Sequence, residues 1–238
     1  MKKYIGSLAL LLVAFTGVFA QKNIHDANAV ARTVGTFHGI KMSSGIDLYL
    51  SQSGSEGLAV SASSSDYRDK IVTEVENGIL KIYYGDQGSW GTNWGNRKMK
   101  AYVSVKDLDL LEASGGSDIY IDEKLQSARL KVQLSGGSDI IGKVAIEDLS
   151  ISASGGSDAK LTGTANHLKV SISGGSDFKG ADLIAEYCSI SASGGSDAYI
   201  HVNKELDSHA SGGSDIRYTG NPTSNVSSSG GGSVKIKN

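Results

Sequence analysis

Residues Leu149–Leu161 read L-S-I-S-A-S-G-G-S-D-A-K-L. Apolar side chains hold every second position up to Ala153, and the same parity resumes at Ala159 and Leu161. Counted through the centre, Gly155 and Ser157 share the apolar parity, whereas Ser154, Gly156 and Asp158 share the other. A period of two belongs to a strand with one buried face. The neighbouring stretches agree: Leu130, Val132, Leu134 then Ile140; Leu168, Val170, Ile172 then Phe178; Cys188, Ile190, Ala192 then Ala198 and Ile200. Helical spacing does not fit, and β-branched and hydroxyl residues dominate.

The central pentapeptide, Ser-Gly-Gly-Ser-Asp, occurs six times without a mismatch: Ser114–Asp118, Ser135–Asp139, Ser154–Asp158, Ser173–Asp177, Ser193–Asp197 and Ser211–Asp215. Its aspartates are 21, 19, 19, 20 and 18 residues apart. A degenerate seventh copy at Ser229–Ser233 carries an extra Gly, with Val234 where an Asp is expected. A repeat of about 20 residues marks a stacked, quasi-one-dimensional architecture. At ~3.3 Å per residue one repeat traces a loop of roughly 60 Å, one coil of a β-solenoid whose coils pair at about 4.8 Å. The Gly-Gly pair supplies backbone freedom at a corner, where a Cβ would collide. Equivalent residues then stack in columns. Asp118, Asp139, Asp158, Asp177, Asp197 and Asp215 are expected along one outer face, flanked by two serine columns.

Such a column has an electrostatic cost. Unit charges about 4.8 Å apart repel by ~0.9 kcal/mol in bulk water and several-fold more near a protein surface. Two readings offset it. In one, each carboxylate accepts local hydrogen bonds from Gly and Ser groups, as in Asx-turns. In the other, Ca²⁺ bridges adjacent coils through the six aspartates; no organic cofactor is indicated.

Residues 1–20 read as a signal peptide: Lys2 and Lys3, an apolar run from Ile5 to Phe19, and a small-residue cleavage site at Val18–Ala20. The expected organisation is a signal peptide at 1–20, a tail at 21–29, a β module at 30–110 and the repeat solenoid at 111–238. The mature chain has no transmembrane segment. Without Lys2 and Lys3 it keeps 21 basic and 25 acidic residues, a formal charge of −4. That balance argues against nucleic acid and anionic membrane partners. Cys188 is the lone cysteine, so no internal disulfide forms, and its parity makes it a buried small hydrophobe.

Residues 30–110 lack the repeat but alternate as strands, and serve as first coils or as a cap. Asp66–Thr73 is expected to form a helical turn capped by Asp66. Asn77-Gly78 between apolar runs signals a hairpin. Gly85–Asn96 is a Gly-rich loop holding the two tryptophans, Trp90 and Trp94. They either fold onto the cap or form a stacking platform for sugar rings or a protein partner. At the other end, Val234–Lys237 alternates lysines along the last strand, a device that blunts an exposed edge, and Asn221–Ser229, polar and Ser-rich, is expected to be mobile.

Catalytic patterns are missing. His25, His38, His167, His201 and His209 show no metal spacing, and neither a nucleophile elbow nor a phosphate loop occurs. His201 and His209 are expected at solvent-facing or turn positions. An enzyme would break the repeat's symmetry at its site, yet the aspartates are the symmetric part. A non-enzymatic protein is expected.

The Ser44-Gly45-Ile46-Asp47 stretch, the Asn77–Ile82 strand entry and the serial Ser-Gly-Gly-Ser-Asp coils together resemble the head GIN domain family of autotransporter adhesins. The resemblance covers roughly residues 30–237. It implies an all-β, right-handed parallel β-helix, export to the periplasm, outer membrane or exterior of a Gram-negative bacterium, and an adhesion role. Residues beyond 215 contain no set of ~10-residue alternating strands of the kind a membrane barrel needs. The expectation is an exported head that recognises a glycan or an envelope protein. A purely structural envelope protein and a carbohydrate-active β-helix enzyme are the competing readings.

Overall fold

The computed structural model describes residues 26–85 and 97–237. The expected signal peptide and both tryptophans lie outside the described residues. Sixteen strands form one continuous sheet, wound as a stacked-coil β-solenoid of about 7 turns. No described helix is long and apolar enough to cross a membrane.

The repeats build the long strands β9 (Ile119–Ser135), β10 (Ile140–Ser154), β11 (Ala159–Ser173), β12 (Phe178–Ala192) and β13 (Asp197–Ala210). Neighbours pair parallel, with Ile140 opposite Ala159, Ala159 opposite Phe178 and Phe178 opposite Ala198. This inward column thus mixes large and small side chains, whereas the column of Val132, Ile151, Val170 and Ile190 is uniformly β-branched. The alternation slips within each coil; at Glu147-Asp148, for example, two consecutive side chains face outward, and the chain bends there. The Ser-Gly-Gly-Ser segments are a further corner. β14 (Asp215–Thr219), β15 (Thr223–Ser228) and β16 (Ser233–Ile236) complete the far end.

Two expectations fail at that end. Residues 223–228 are a regular strand, paired with β13 from Thr223 opposite Glu205 to Ser228 opposite Ala210. Pairing with a preformed coil imposes extended geometry on a serine-rich segment that has little strand preference of its own. In the last corner Ser233, not Val234, stands opposite Asp215, while Val234 continues the inward column of Ile216. The third glycine is therefore a substitution for the motif's second serine rather than an insertion.

The N-terminal residues supply both coils and a cap. β2 (Gly39–Met42) and β3 (Asp47–Gln52) form a coil whose corner is Ser43–Ile46. On one side they pair parallel with β6 (Ile79–Tyr84) and β7 (Lys100–Val105), on the other with β8 (Leu110–Ser114) and β9. Stack order and chain order therefore differ: a later coil, β6–β7, lies outside an earlier one. β4 (Gly57–Ser61) adds antiparallel to β7 and β1 (Val30–Arg32) antiparallel to β4, and β5 (Ile71–Glu76) adds antiparallel to β6. The Asn77-Gly78 hairpin is present, with φ of 52° and 76°, the two left-handed residues of a type I′ turn. One buried cluster runs from Phe37 to Ile216 across both regions.

The helical turn α1 spans Ser65–Arg68 and is capped by Ser64, not Asp66. Ser64 is extended (φ −146°, ψ 162°), and its hydroxyl accepts from the Tyr67 N–H. Asp66 instead sits in the first turn, where a carboxylate favours the helix dipole.

The two corner glycines serve different needs. Both Gly155 (φ +67°) and Gly156 (φ +75°) are left-handed. A Cβ on Gly155 would also stand 3.3 Å from the Gly136 backbone N of the preceding coil, whereas one on Gly156 would meet nothing. Gly156→Ala is expected to cost about 1–2 kcal/mol through backbone strain alone. Gly155→Ala adds crowding between coils and should cost more. Denaturant melts of the two variants measure the difference, and equal losses would contradict the close approach.

Candidate functional site

At the corner the second glycine still donates to a carbonyl of the next coil, as Gly116 N–H does to Gly136 (3.0 Å), but the N–H groups of the serine and aspartate that follow turn to side chains of adjacent coils. The second serine of the first four motifs, Ser117, Ser138, Ser157 and Ser176, is fully buried. Its hydroxyl accepts an N–H from the coil before it: Ile46 N–H to Ser117 Oγ, Ser117 to Ser138, Ser138 to Ser157 and Ser157 to Ser176, each 3.1 Å. The aspartates work in the opposite direction. Asp118 Oδ1 accepts the Asp139 N–H (3.0 Å), Asp139 accepts from Asp158 (2.8 Å), Asp158 from Asp177 (3.1 Å) and Asp177 from Asp197 (3.3 Å). The aspartates are therefore satisfied between coils, not by local Asx-turns. The expected pair of serine columns also divides. Ser135 and Ser154 are exposed on the outside, while the Ser157 column is interior, as its parity with the apolar residues requires.

The corner changes form along the stack. From Gly115-Gly116 to Gly174-Gly175 both glycines have positive φ; at Gly194, Gly212 and Gly230 only the first does. In this second form backbone carbonyls replace side chains: Asp215 N–H donates to Ser196 C=O (3.2 Å) and Ser233 N–H to Ser214 C=O (2.9 Å). Buried Ser196 Oγ has no hydrogen-bond partner among the described residues.

All six sequence-predicted aspartates fall in one column, and the structure adds a seventh. Asp47 precedes Asp118, and Lys100 lies opposite Asp47 on the outer coil. The signal was present as Ser43-Ser44-Gly45-Ile46-Asp47, a corner with Ile46 at the buried-serine position and Ser44 and Gly45 left-handed. The next outward column carries cations against the aspartates. Lys179 Nζ lies 2.6 Å from Asp158 and 3.5 Å from Asp177, and Arg217 lies 2.8 Å from Asp215 and 4.0 Å from Asp197. Toward the other end the same column is aromatic. Tyr49 stacks between Tyr102 and Tyr120, both at 5.2 Å, so these ring faces cover one another.

The ends of the aspartate column titrate differently. Burial, then the adjacent Asp118 carboxylate, raises the pKa of Asp47, against smaller opposing effects from an Asp118 backbone hydrogen bond and Lys100. The Ser233 hydroxyl, 2.5 Å from Asp215 Oδ1, lowers that of Asp215, helped by Arg217 and Lys235. Among the described residues no three His, Cys, Asp or Glu side chains form a group able to hold a metal ion; the aspartates stand as a row, with one oxygen of four of them taken by a backbone N–H. Cys188 is buried, and burial pushes its thiol up to about 12. The described histidines each bond a side chain of another coil or segment: His38 to Asp109, His167 to Asp148, His201 to Thr219 and His209 to Ser227. Trp90 and Trp94 lie outside the described residues; the strands that flank them, β6 and β7, pair with β2 and β3 on either side of the Ser43–Ile46 corner.

A family model described as "Putative auto-transporter adhesin, head GIN domain" matches residues 36–222. The chain belongs to this family. Among solved structures, one described as a "putative adhesin" from Bacteroides fragilis NCTC 9343 is similar with a TM-score of 0.80 at 22% identity, covering 89% of this chain and 98% of that one. A "putative adhesin" from Parabacteroides merdae ATCC 43184 gives 0.69 at 18% identity, covering 88% and 95%. A "putative lipid binding protein" from Parabacteroides distasonis ATCC 8503 gives 0.66 at 21%, covering 90% and 98%. At these identities the likeness is one of fold. No curated protein matches the sequence. Family and fold make this head GIN domain an adhesin-like protein.

The raised pKa of Asp47 has a defined consequence. An acid that holds its proton more tightly when folded contributes stability that is full below its unfolded value, near 3.9. That contribution is lost as pH rises through the higher folded value. Asp47→Asn keeps an acceptor and removes the charge. It should raise the melting temperature at pH 7, and the gain should vanish below about pH 3.5. A variant less stable than wild type at pH 7 would contradict the assignment.

Proposed function

We propose that this chain is an exported, non-enzymatic head domain that recognises a glycan or an envelope or surface protein through the outer face of its solenoid. The observation that carries this reading is a row of chemically identical groups on the outside of the solenoid, exposed at Ser135 and Ser154 and half-buried at Ser114 and Ser173. Ser114, Ser135, Ser154 and Ser173 occupy one column in strict register. Ser152 and Ser171 stand beside it, again in register. A shallow surface groove of about 410 Å³ follows these serines and is lined at one end by Lys41, Glu112 and Gln133. Repeated hydroxyls at a fixed spacing of about 4.8 Å suit a repeating polymer, whose weak contacts sum through multivalency. Trp90 and Trp94 remain the candidate aromatic contacts. A second reading, a purely structural envelope protein, is favoured by the aspartate carboxylates, which already serve the joints between coils.

A glycan array probed with residues 21–238 tests the proposal. Binding that falls at least about tenfold, ~1.4 kcal/mol, in Ser154→Arg/Ser173→Arg or in Trp90→Ala/Trp94→Ala, with unchanged melting temperatures, supports recognition. Binding that survives both pairs of changes would overturn it. So would oligosaccharide turnover that depends on one aspartate and not on its column neighbours.

A further inference from the structure

The two ends of the solenoid are finished differently. At the head, among the described strands β5 pairs only with β6, so no described strand lies against its other edge. The Arg32 guanidinium covers the start of that edge by donating to the Ile71 carbonyl. Beyond it the strand reads Thr73-Glu74-Val75-Glu76, with both glutamates exposed. They contact Tyr83 and Lys81 of β6 on the outer face.

At the tail, among the described strands β16 pairs only with β14 and ends the strand order. From its second residue the chain reads Val234-Lys235-Ile236-Lys237, the lysine after the strand included, with Ile236 54% exposed. Residues 216–238 carry Arg217, Lys235 and Lys237 and no acidic residue, a charge of +3. The preceding mature residues, 21–215, hold 18 basic and 25 acidic residues, a charge of −7. The lysines thus belong to a distinct cationic end on an acidic body.

We infer that the tail edge β16 of one molecule pairs with the head edge β5 of a second copy, joining molecules head to tail. An open strand edge is a template for another strand. Paired parallel, V-K-I-K meets T-E-V-E with lysines opposite glutamates on one face and Val and Ile opposite Thr and Val on the other; paired antiparallel, a shift of one residue keeps Lys235 opposite Glu76, Ile236 opposite Val75 and Lys237 opposite Glu74. Opposite charges across a strand pair stabilise it and like charges destabilise it. Tail-to-tail pairing sets lysine against lysine, and head-to-head pairing sets glutamate against glutamate, so both symmetric dimers are disfavoured. The remaining contact is heterologous and leaves a free end on each molecule, which extends into a linear chain.

Sedimentation of the mature chain tests this with two variants, Lys235→Glu/Lys237→Glu and Glu74→Lys/Glu76→Lys, each checked for native circular dichroism. Wild type is expected to gain weight-average mass with concentration at low salt and to return to monomer at about 0.5 M salt, where screening is strong. Each variant alone is expected to stay monomeric at low salt, and an equimolar mixture of the two to recover association. A wild type that is monomeric throughout would overturn the inference, leaving the lysines as blockers of the edge. So would association that either variant retains alone, or a mixture that fails to recover it.

Discussion

A coil that closes on itself must turn its backbone, and at the turn the serine and aspartate N–H groups no longer face carbonyls of the adjacent coils. Buried or half-buried amides without acceptors are costly, about 1–3 kcal/mol each, and a stack repeats that cost at every turn. In this protein the Ser-Asp pair removes it. The buried serine accepts from the coil before and the aspartate accepts from the coil after, so one corner is tied to both of its neighbours. The inward columns then add apolar burial to a frame whose polar groups are already matched.

This arrangement explains why an acidic column is retained despite its self-repulsion. Each of four aspartates takes a charge-assisted hydrogen bond from a backbone N–H, and Lys179 and Arg217 each lie between two carboxylates. Where the corner changes to its second form at Gly194, a carbonyl takes over the Asp215 amide and the Ser196 hydroxyl loses its role. Side-chain acceptors and corner geometry are therefore one feature, not two. The same economy limits what the column offers a ligand, and it directs attention to the outer serines.

Much of this was legible in the sequence because the fold is periodic. The identical pentapeptides put the aspartates in one column, and the parity of Leu149, Ile151 and Ala153 with Ser157 carried the signal for a buried serine, although two outer serine columns were expected. What escaped depends on contacts between residues distant in sequence. Asp47 joins the column because β6–β7 folds back outside β2–β3, an order that no local pattern encodes. Its corner was also disguised by Ile46 in place of a serine. Residues 223–228 become a strand because β13 offers an edge, not because Thr-Ser-Asn-Val-Ser-Ser prefers one. Ser233 takes the aspartate position because spacing, rather than residue identity, sets register. The direction of the two hydrogen-bond ladders needed coordinates, since serine and aspartate are both acceptors in sequence terms.

Native-state hydrogen exchange at the corner amides tests the central claim most directly. The N–H groups of Ser138, Ser157, Asp139 and Asp158 should exchange as slowly as those of β10 and β11, because side chains of adjacent coils hold them. Exchange of these four amides at the rate of an open turn, with the flanking strands protected, would contradict the account.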